Sequence, residues 1–276
     1  DSGSMSICDG NSLKMSTDKT RAIMSKSTRW AEMCSAVQCH VDFAEAARAP
    51  TEFRFLNAGL PIEVGLVQDD GTNARKLTTL LEGSPGGGTP LCRHVREVAA
   101  RIDEMTPRLR EEGKKVAVII VTDGQSSDGN MGTALRLLQH KPCYVVVRLC
   151  TDEDSVVDYW NDIDNELELQ MDVLDDFVGE AQEVMKKNPW LTYSVPVHRF
   201  REFGVHLKEF DLLDEKPLAL AEARKVCCAI LGGKLSDYPD PVIESKAFKE
   251  FVEKKCDREP QSWNVKLKKK TPAIIP

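Results

Sequence analysis

The stretch Val116-Ala117-Val118-Ile119-Ile120-Val121-Thr122-Asp123-Gly124 decides how the rest of the chain is read. Its unbroken run of aliphatic, mostly β-branched residues predicts a strand buried on both faces, as in parallel sheets. Asp123-Gly124 ends the run, and taken alone it is only a strand-ending turn. On the N-terminal side, Leu91, Val95, Val98, Ala99, Ile102 and Met105 recur at helical spacing and predict a helix ending near Gly113. Before it the pattern predicts a short helix over about 73–81. Strands over 51–57 and 61–67, joined through Gly59 and Pro61, form an antiparallel hairpin. Trp30, Met33, Cys34, Val37, Val41 and Ala44 place an amphipathic helix over about 28–48. On the C-terminal side a helix over 131–138 leads to a second buried strand, Tyr144 to Leu149. A helix near 156–160, a strand over 167–173 and a helix over 177–185 follow.

Strands alternating with helices predict an α/β fold: a doubly wound, mostly parallel sheet with helices on both faces. Ligands in such sheets bind beyond the carboxyl ends of the strands, where Asp123 stands. Two other loops carry oxygen-rich side chains. Asp1-Ser2-Gly3-Ser4-Met5-Ser6 reads by itself as a turn. Gly86-Gly87-Gly88-Thr89-Pro90 reads as a flexible loop and helix N-cap, with Pro90 at the first helical position. Together the loops offer the hydroxyls of Ser2, Ser4 and Thr89 and the carboxylate of Asp123, the hard donors that magnesium and calcium take.

This arrangement resembles the metal-ion-dependent adhesion site (MIDAS) of the von Willebrand factor A (vWA) domain family. That family's pattern is Asp-x-Ser-x-Ser in the first loop, Thr in the second and Asp in the third. Ser2 and Ser4 match only if the family's metal Asp stands one position before Asp1, which makes Asp1 the variable residue. The resemblance covers roughly residues 1–187. It implies that the first, central strand lies upstream of Asp1, and that residues 1–276 without it would not fold alone. It also implies a metal site of Ser2, Ser4, Thr89 and, through water, Asp123. Mg2+ is the favoured ion because carboxylates are few, with Ca2+ or Mn2+ as alternatives. A partner protein's Asp or Glu would fill the open coordination position. The implied function is a metal-dependent protein–protein interaction module, part of a multi-subunit complex. The alternatives are a structural scaffold that uses the fold without metal-dependent adhesion, and a metal-assisted hydrolase.

One departure stands inside the covered part. Asn11, Ser12, Lys14, Ser16, Thr17, Asp18 and Lys19 predict an inserted surface loop over about 7–29. Residues 188–276 read as a helical C-terminal extension. One helix carries Leu218, Ala221, Val226, Cys227 and Ile230 and closes at Gly232-Gly233. A shorter helix carries Phe248, Phe251 and Val252. The tail from Trp263 to Pro276, with Lys266, Lys268, Lys269 and Lys270, is expected to lie extended over a partner or over the chain's own surface.

The formal net charge is −7, and no aromatic-rich binding module accompanies those lysines, which argues against nucleic acid. Asp152, Asp154, Asp158, Asp162, Asp164, Glu168, Asp175 and Asp176 read as a solvated acidic face, or else as a docking surface for a basic partner. Nine cysteines without a Cys-x-x-Cys predict reduced thiols and an intracellular, cytoplasmic setting. No transmembrane run is visible. The phosphate-loop, dinucleotide and His-Glu-x-x-His signatures are missing. His40, His94, His140, His198 and His206 are scattered, so the chain reads as a binding protein rather than an enzyme.

Overall fold

The computed structural model describes residues 1–15, 22–68, 70–151, 153–205 and 207–275 of a mixed α/β chain. Ser16, Thr17, Asp18, Lys19, Asp152, His206 and Pro276, named above, lie outside the described residues. The chain divides into two compact units, Asp1–Ser12 with Met24–Asp176, and Leu13–Ile23 with Phe177–Pro276.

A 3-10 turn, Gly3–Ser6, opens the first unit. Strands β1 (Gly10–Met15) and β2 (Ala22–Ser27) then pair with each other where the sequence predicts a loop. The polar residues Asn11, Ser12 and Lys14 do not prevent this, because a ladder is made by backbone groups. Helix α1 (Arg29–Ala47) begins where the Thr28 hydroxyl accepts from the Ala31 N–H. Strands β3 (Thr51–Phe53) and β4 (Ile62–Val64) form the expected antiparallel pair, with Thr51 opposite Val64. The first strand stops early because Leu56 and Asn57 give their N–H groups to the Asp1 carboxylate. Ile62 and Val64 pack with Val41 and Ala44 of α1 and with Ala74 and Leu77 of α2 (Thr72–Leu81).

The parallel sheet follows. Helix α3 (Leu91–Glu111) leads into β5 (Val116–Thr122). Helix α4 (Met131–Leu135), extended by a 3-10 turn, leads into β6 (Cys143–Leu149), and α5 (Asp154–Glu166) leads into β7 (Met171–Leu174). The strands run β5–β6–β7, with Val116 opposite Cys143 and Val145 opposite Met171. One face, including Val118, Ile120, Val145 and Val147, packs on Val95 and Ile102 of α3, Leu135 of α4 and Trp160 of α5. Val121 and Cys150 belong to another cluster, with Met5, Trp30, Met33 and Leu81.

One expectation needs correction. β6 is buried along its whole length, whereas β5 buries alternate residues, so one of its faces is only partly covered. Among the described residues the parallel sheet has three strands and the β3–β4 pair is a sheet of its own. The central strand also carries Arg148, buried and ion-paired with Glu32 of α1. Of the acidic residues named above, Asp154, Asp158, Asp162 and Glu168 are exposed. Asp176 is buried and accepts from the Asn11 amide at 2.9 Å.

In the second unit, α6 (Phe177–Lys187), α7 (Val195–Glu202), α8 (Lys208–Asp211), α9 (Leu220–Leu231) and α10 (Ser245–Cys256) surround one apolar core. Phe177, Ala181 and Val184 of α6 belong to that core. Helix α9 ends at Gly232 and Gly233, both at positive φ. The tail forms a hairpin, β8 (Ser262–Asn264) with β9 (Lys269–Thr271), and Ile274 bridges to Leu191. The tail therefore lies on its own unit, held by Ile274 at 3% exposure, while Lys266 to Lys270 stay exposed. All nine cysteines are free. Burial pushes the Cys227 thiol up to about 12, so it is no ready thiolate.

Candidate metal centre

Asp123 follows the last residue of β5 and is 4% exposed. Its loop is pinned from behind by the fully buried Trp160, whose indole N–H donates to the Gly124 carbonyl at 3.3 Å. The first loop reaches Asp123 because Met5, 2% exposed, anchors the Gly3–Ser6 turn in the cluster of Trp30, Met33 and Cys150. The Ser4 hydroxyl donates to Oδ1 of Asp123 at 3.0 Å and the Ser2 hydroxyl at 3.4 Å. The two hydroxyls lie 3.0 Å apart. Ser2 is buried and Ser4 is exposed, so the group opens to solvent on one side.

The second loop is tied to the first by backbone bonds. Gly3 N–H donates to the Gly87 carbonyl at 3.1 Å, and Gly86 N–H donates to the Asp1 carbonyl at 2.8 Å. Thr89 is clamped from the third loop: its N–H donates to the Ser127 hydroxyl at 3.0 Å and its carbonyl accepts from the Ser127 N–H at 2.8 Å. Among the described residues, no hydrogen bond joins the Thr89 hydroxyl to Ser2, Ser4 or Asp123. The structure therefore gathers three of the four expected ligands and holds Thr89 on an adjoining loop.

Pro90 precedes α3 instead of opening it, and the cap comes from elsewhere. The Asp128 carboxylate accepts from the N–H groups of Cys92 at 3.0 Å and Arg93 at 2.8 Å. Burial acts to raise the Asp128 carboxyl, but bonds from the Ser126 hydroxyl and those amides together hold it below the ordinary range.

Arg29 is the residue the sequence reading missed. Its side chain is 5% exposed and forks between two carboxylates. Nε and Nη2 donate to Asp9 at 2.7 and 2.6 Å, and Nη1 donates to Oδ2 of Asp123 at 3.2 Å. Hydrogen bonding from Arg29 is the main cause holding the Asp9 carboxyl below its usual range. A basic residue at the first position of α1 is misplaced with respect to the helix dipole. That misfit was the available signal that Arg29 has carboxylate partners.

Both carboxylate oxygens of Asp123 are thus engaged, Oδ1 by the serines and Oδ2 by Arg29. The oxygen-only donor set around Oδ1 suits a hard dication, and no three His, Cys, Asp or Glu side chains cluster as metal ligands among the described residues. His94 lies elsewhere, with Nε2 3.2 Å from the Leu56 carbonyl, and His198 is a buried packing residue beside Tyr193. No helix among the described residues is long and apolar enough to cross a membrane. Compared with protein-family models, curated proteins and solved structures, the chain matches none.

Proposed function

We propose that this chain is a metal-dependent protein–protein interaction module built on a doubly wound, vWA-type sheet. The order of elements supports the fold, and so does the parallel β5–β6–β7 sheet with α3, α4 and α5 packed against it. The observation that carries the functional reading is the convergence of the Ser2 and Ser4 hydroxyls on one oxygen of Asp123. In this reading Ser2, Ser4, Thr89 and Asp123 hold Mg2+, with Ca2+ or Mn2+ as alternatives. The bound cation supplies a Lewis-acidic position at which a partner's Asp or Glu carboxylate exchanges for water. The serines contribute neutral oxygens, which leave most of a dication's charge for an anionic partner. Membership of a multi-subunit complex belongs to the same reading, which assigns no catalytic step.

Calorimetric titration of magnesium into the chain, beside its Ser2→Ala/Ser4→Ala variant, tests the proposal. Saturable binding that disappears in the variant supports it. A well-folded parent that takes up no magnesium overturns it.

A second reading, a scaffold without metal-dependent adhesion, is favoured by the ion pair between Arg29 and Asp123, which ties the loops together without a cation. Thr89→Ala separates the two. Weaker cation binding with an unchanged cation-free unfolding midpoint supports the module. A lowered midpoint with unchanged cation binding supports the scaffold.

A further inference from the structure

We propose that Arg29 is a counter-ion shared between Asp123 and Asp9, and that through it Asp9 sets the cation affinity of the Ser2/Ser4/Asp123 site. This inference rests on the metal reading above and assigns positioning roles to two residues outside the ligand set.

The geometry is asymmetric. Asp9 receives two short bonds from the fork, at 2.6 and 2.7 Å, whereas Asp123 receives one longer bond to its carboxylate, at 3.2 Å. A planar guanidinium engaged in two parallel bonds is held more firmly than one engaged by a single bond. The charge of Arg29 is therefore compensated first by Asp9. Glu153 stands farther off, 3.8 Å from Nη2 and mostly exposed, where water screens it. Asp123 is left as the weaker partner, and the oxygen that faces the serines is not the one that faces Arg29.

A dication beside Oδ1 competes with Arg29 for the same carboxylate. Because the ion pair is buried, this competition takes place where charges interact strongly. Arg29 therefore lowers cation affinity, and Asp9 relieves that effect by drawing off the guanidinium's charge. Asp9 immediately precedes β1, and the Asn11 N–H is fixed by Glu32 at 2.8 Å. Displacement of the root of the β1–β2 pair would change how Arg29 divides itself between the two acids. The site's affinity is thereby coupled to that root, and by linkage cation binding acts back on it equally.

The test is a double-mutant cycle read by calorimetric titration of magnesium alone. Arg29→Gln raises affinity about tenfold and Asp9→Asn lowers it about tenfold, magnitudes typical of one nearby charge at a partly shielded site. The effect of Asp9→Asn disappears in the Arg29→Gln background, because Asp9 acts only through Arg29. Equal effects of Asp9→Asn in both backgrounds overturn the proposal in favour of plain long-range electrostatics. So does an Arg29→Gln variant that binds like the parent. The Asp9 side chain is one-third exposed, at 33%, so Asp9→Asn is the milder substitution and carries the test where Arg29→Gln does not fold. Its loss of affinity must then persist at high salt, and a loss abolished by salt overturns the proposal. A parent that binds no magnesium fails the metal reading and this inference together. A parent that binds, with unresponsive variants, fails this inference alone.

Discussion

The Ser4 hydroxyl donates to Oδ1 of Asp123 at 3.0 Å, joining residues 119 positions apart. That bond depends on two separate anchorages, Met5 in the core under the first loop and Trp160 behind the third. Each anchorage can be perturbed without touching a candidate ligand.

Replacing Trp160 with Phe removes the indole bond to Gly124 and part of a fully buried ring. The expected cost is about 1–3 kcal/mol in denaturant unfolding, from the void and the lost bond together. Magnesium affinity should fall as well, because the turn that carries Asp123 loses its backing.

Gly87 has φ +92, and a Cβ there would lie 2.6 Å from the side chain of Asn57. Gly87→Ala is expected to destabilise by about 1–3 kcal/mol, measured by chemical denaturation. Adding Asn57→Ala should recover the steric part and leave the backbone part, so the double variant stays less stable than Asn57→Ala alone.

Asp128 caps α3 from the third loop, and its carboxyl lies below the ordinary range in the folded chain. A depressed folded value means that the stabilisation is fully present above the unfolded value of about 4 and is lost as pH falls through the folded value. Asp128→Asn should therefore flatten the acid limb of a stability-against-pH curve below about pH 4. Asp128→Ala should cost about 1–2 kcal/mol at neutral pH, as cap removals do.

In the second unit, fully buried Asn188 donates to the carbonyls of Leu213 at 2.7 Å and Lys216 at 2.9 Å, and accepts from the Leu218 N–H at 2.9 Å. Asn188→Ala leaves those groups unpaired and should cost about 2–4 kcal/mol in thermal unfolding. Asn188→Asp keeps the shape but turns an acceptor toward two carbonyls, so it should be at least as damaging. An Asp variant as stable as the parent would contradict this account.

Much of the fold is legible residue by residue. The spacing of Trp30, Met33, Val41 and Ala44 marked α1, the aliphatic runs marked β5 and β6, and Gly232-Gly233 marked the end of α9. Helices α7 and α8 were not foreseen. Helix α7 buries Val197 together with His198, Arg201 and Glu202, so its inward face is mostly polar and has no apolar period to detect. The β1–β2 pair reads as a loop in the sequence because Asn11, Ser12 and Lys14 interrupt any apolar alternation, while the pairing itself is made by the backbone.

Local pattern determined most of the helices and strands, and which loops carry oxygen donors, because the periods of 3.6 and 2 and the turn chemistry are properties of neighbouring residues. Tertiary structure alone decided that Arg29 stands between Asp9 and Asp123, that Asp128 caps a helix from another loop, and that the tail returns to Leu191. Arg29 and Asp123 are 94 positions apart, and no local pattern records which buried charge meets which. The packing of the core places them together, and their burial makes either charge costly without a partner.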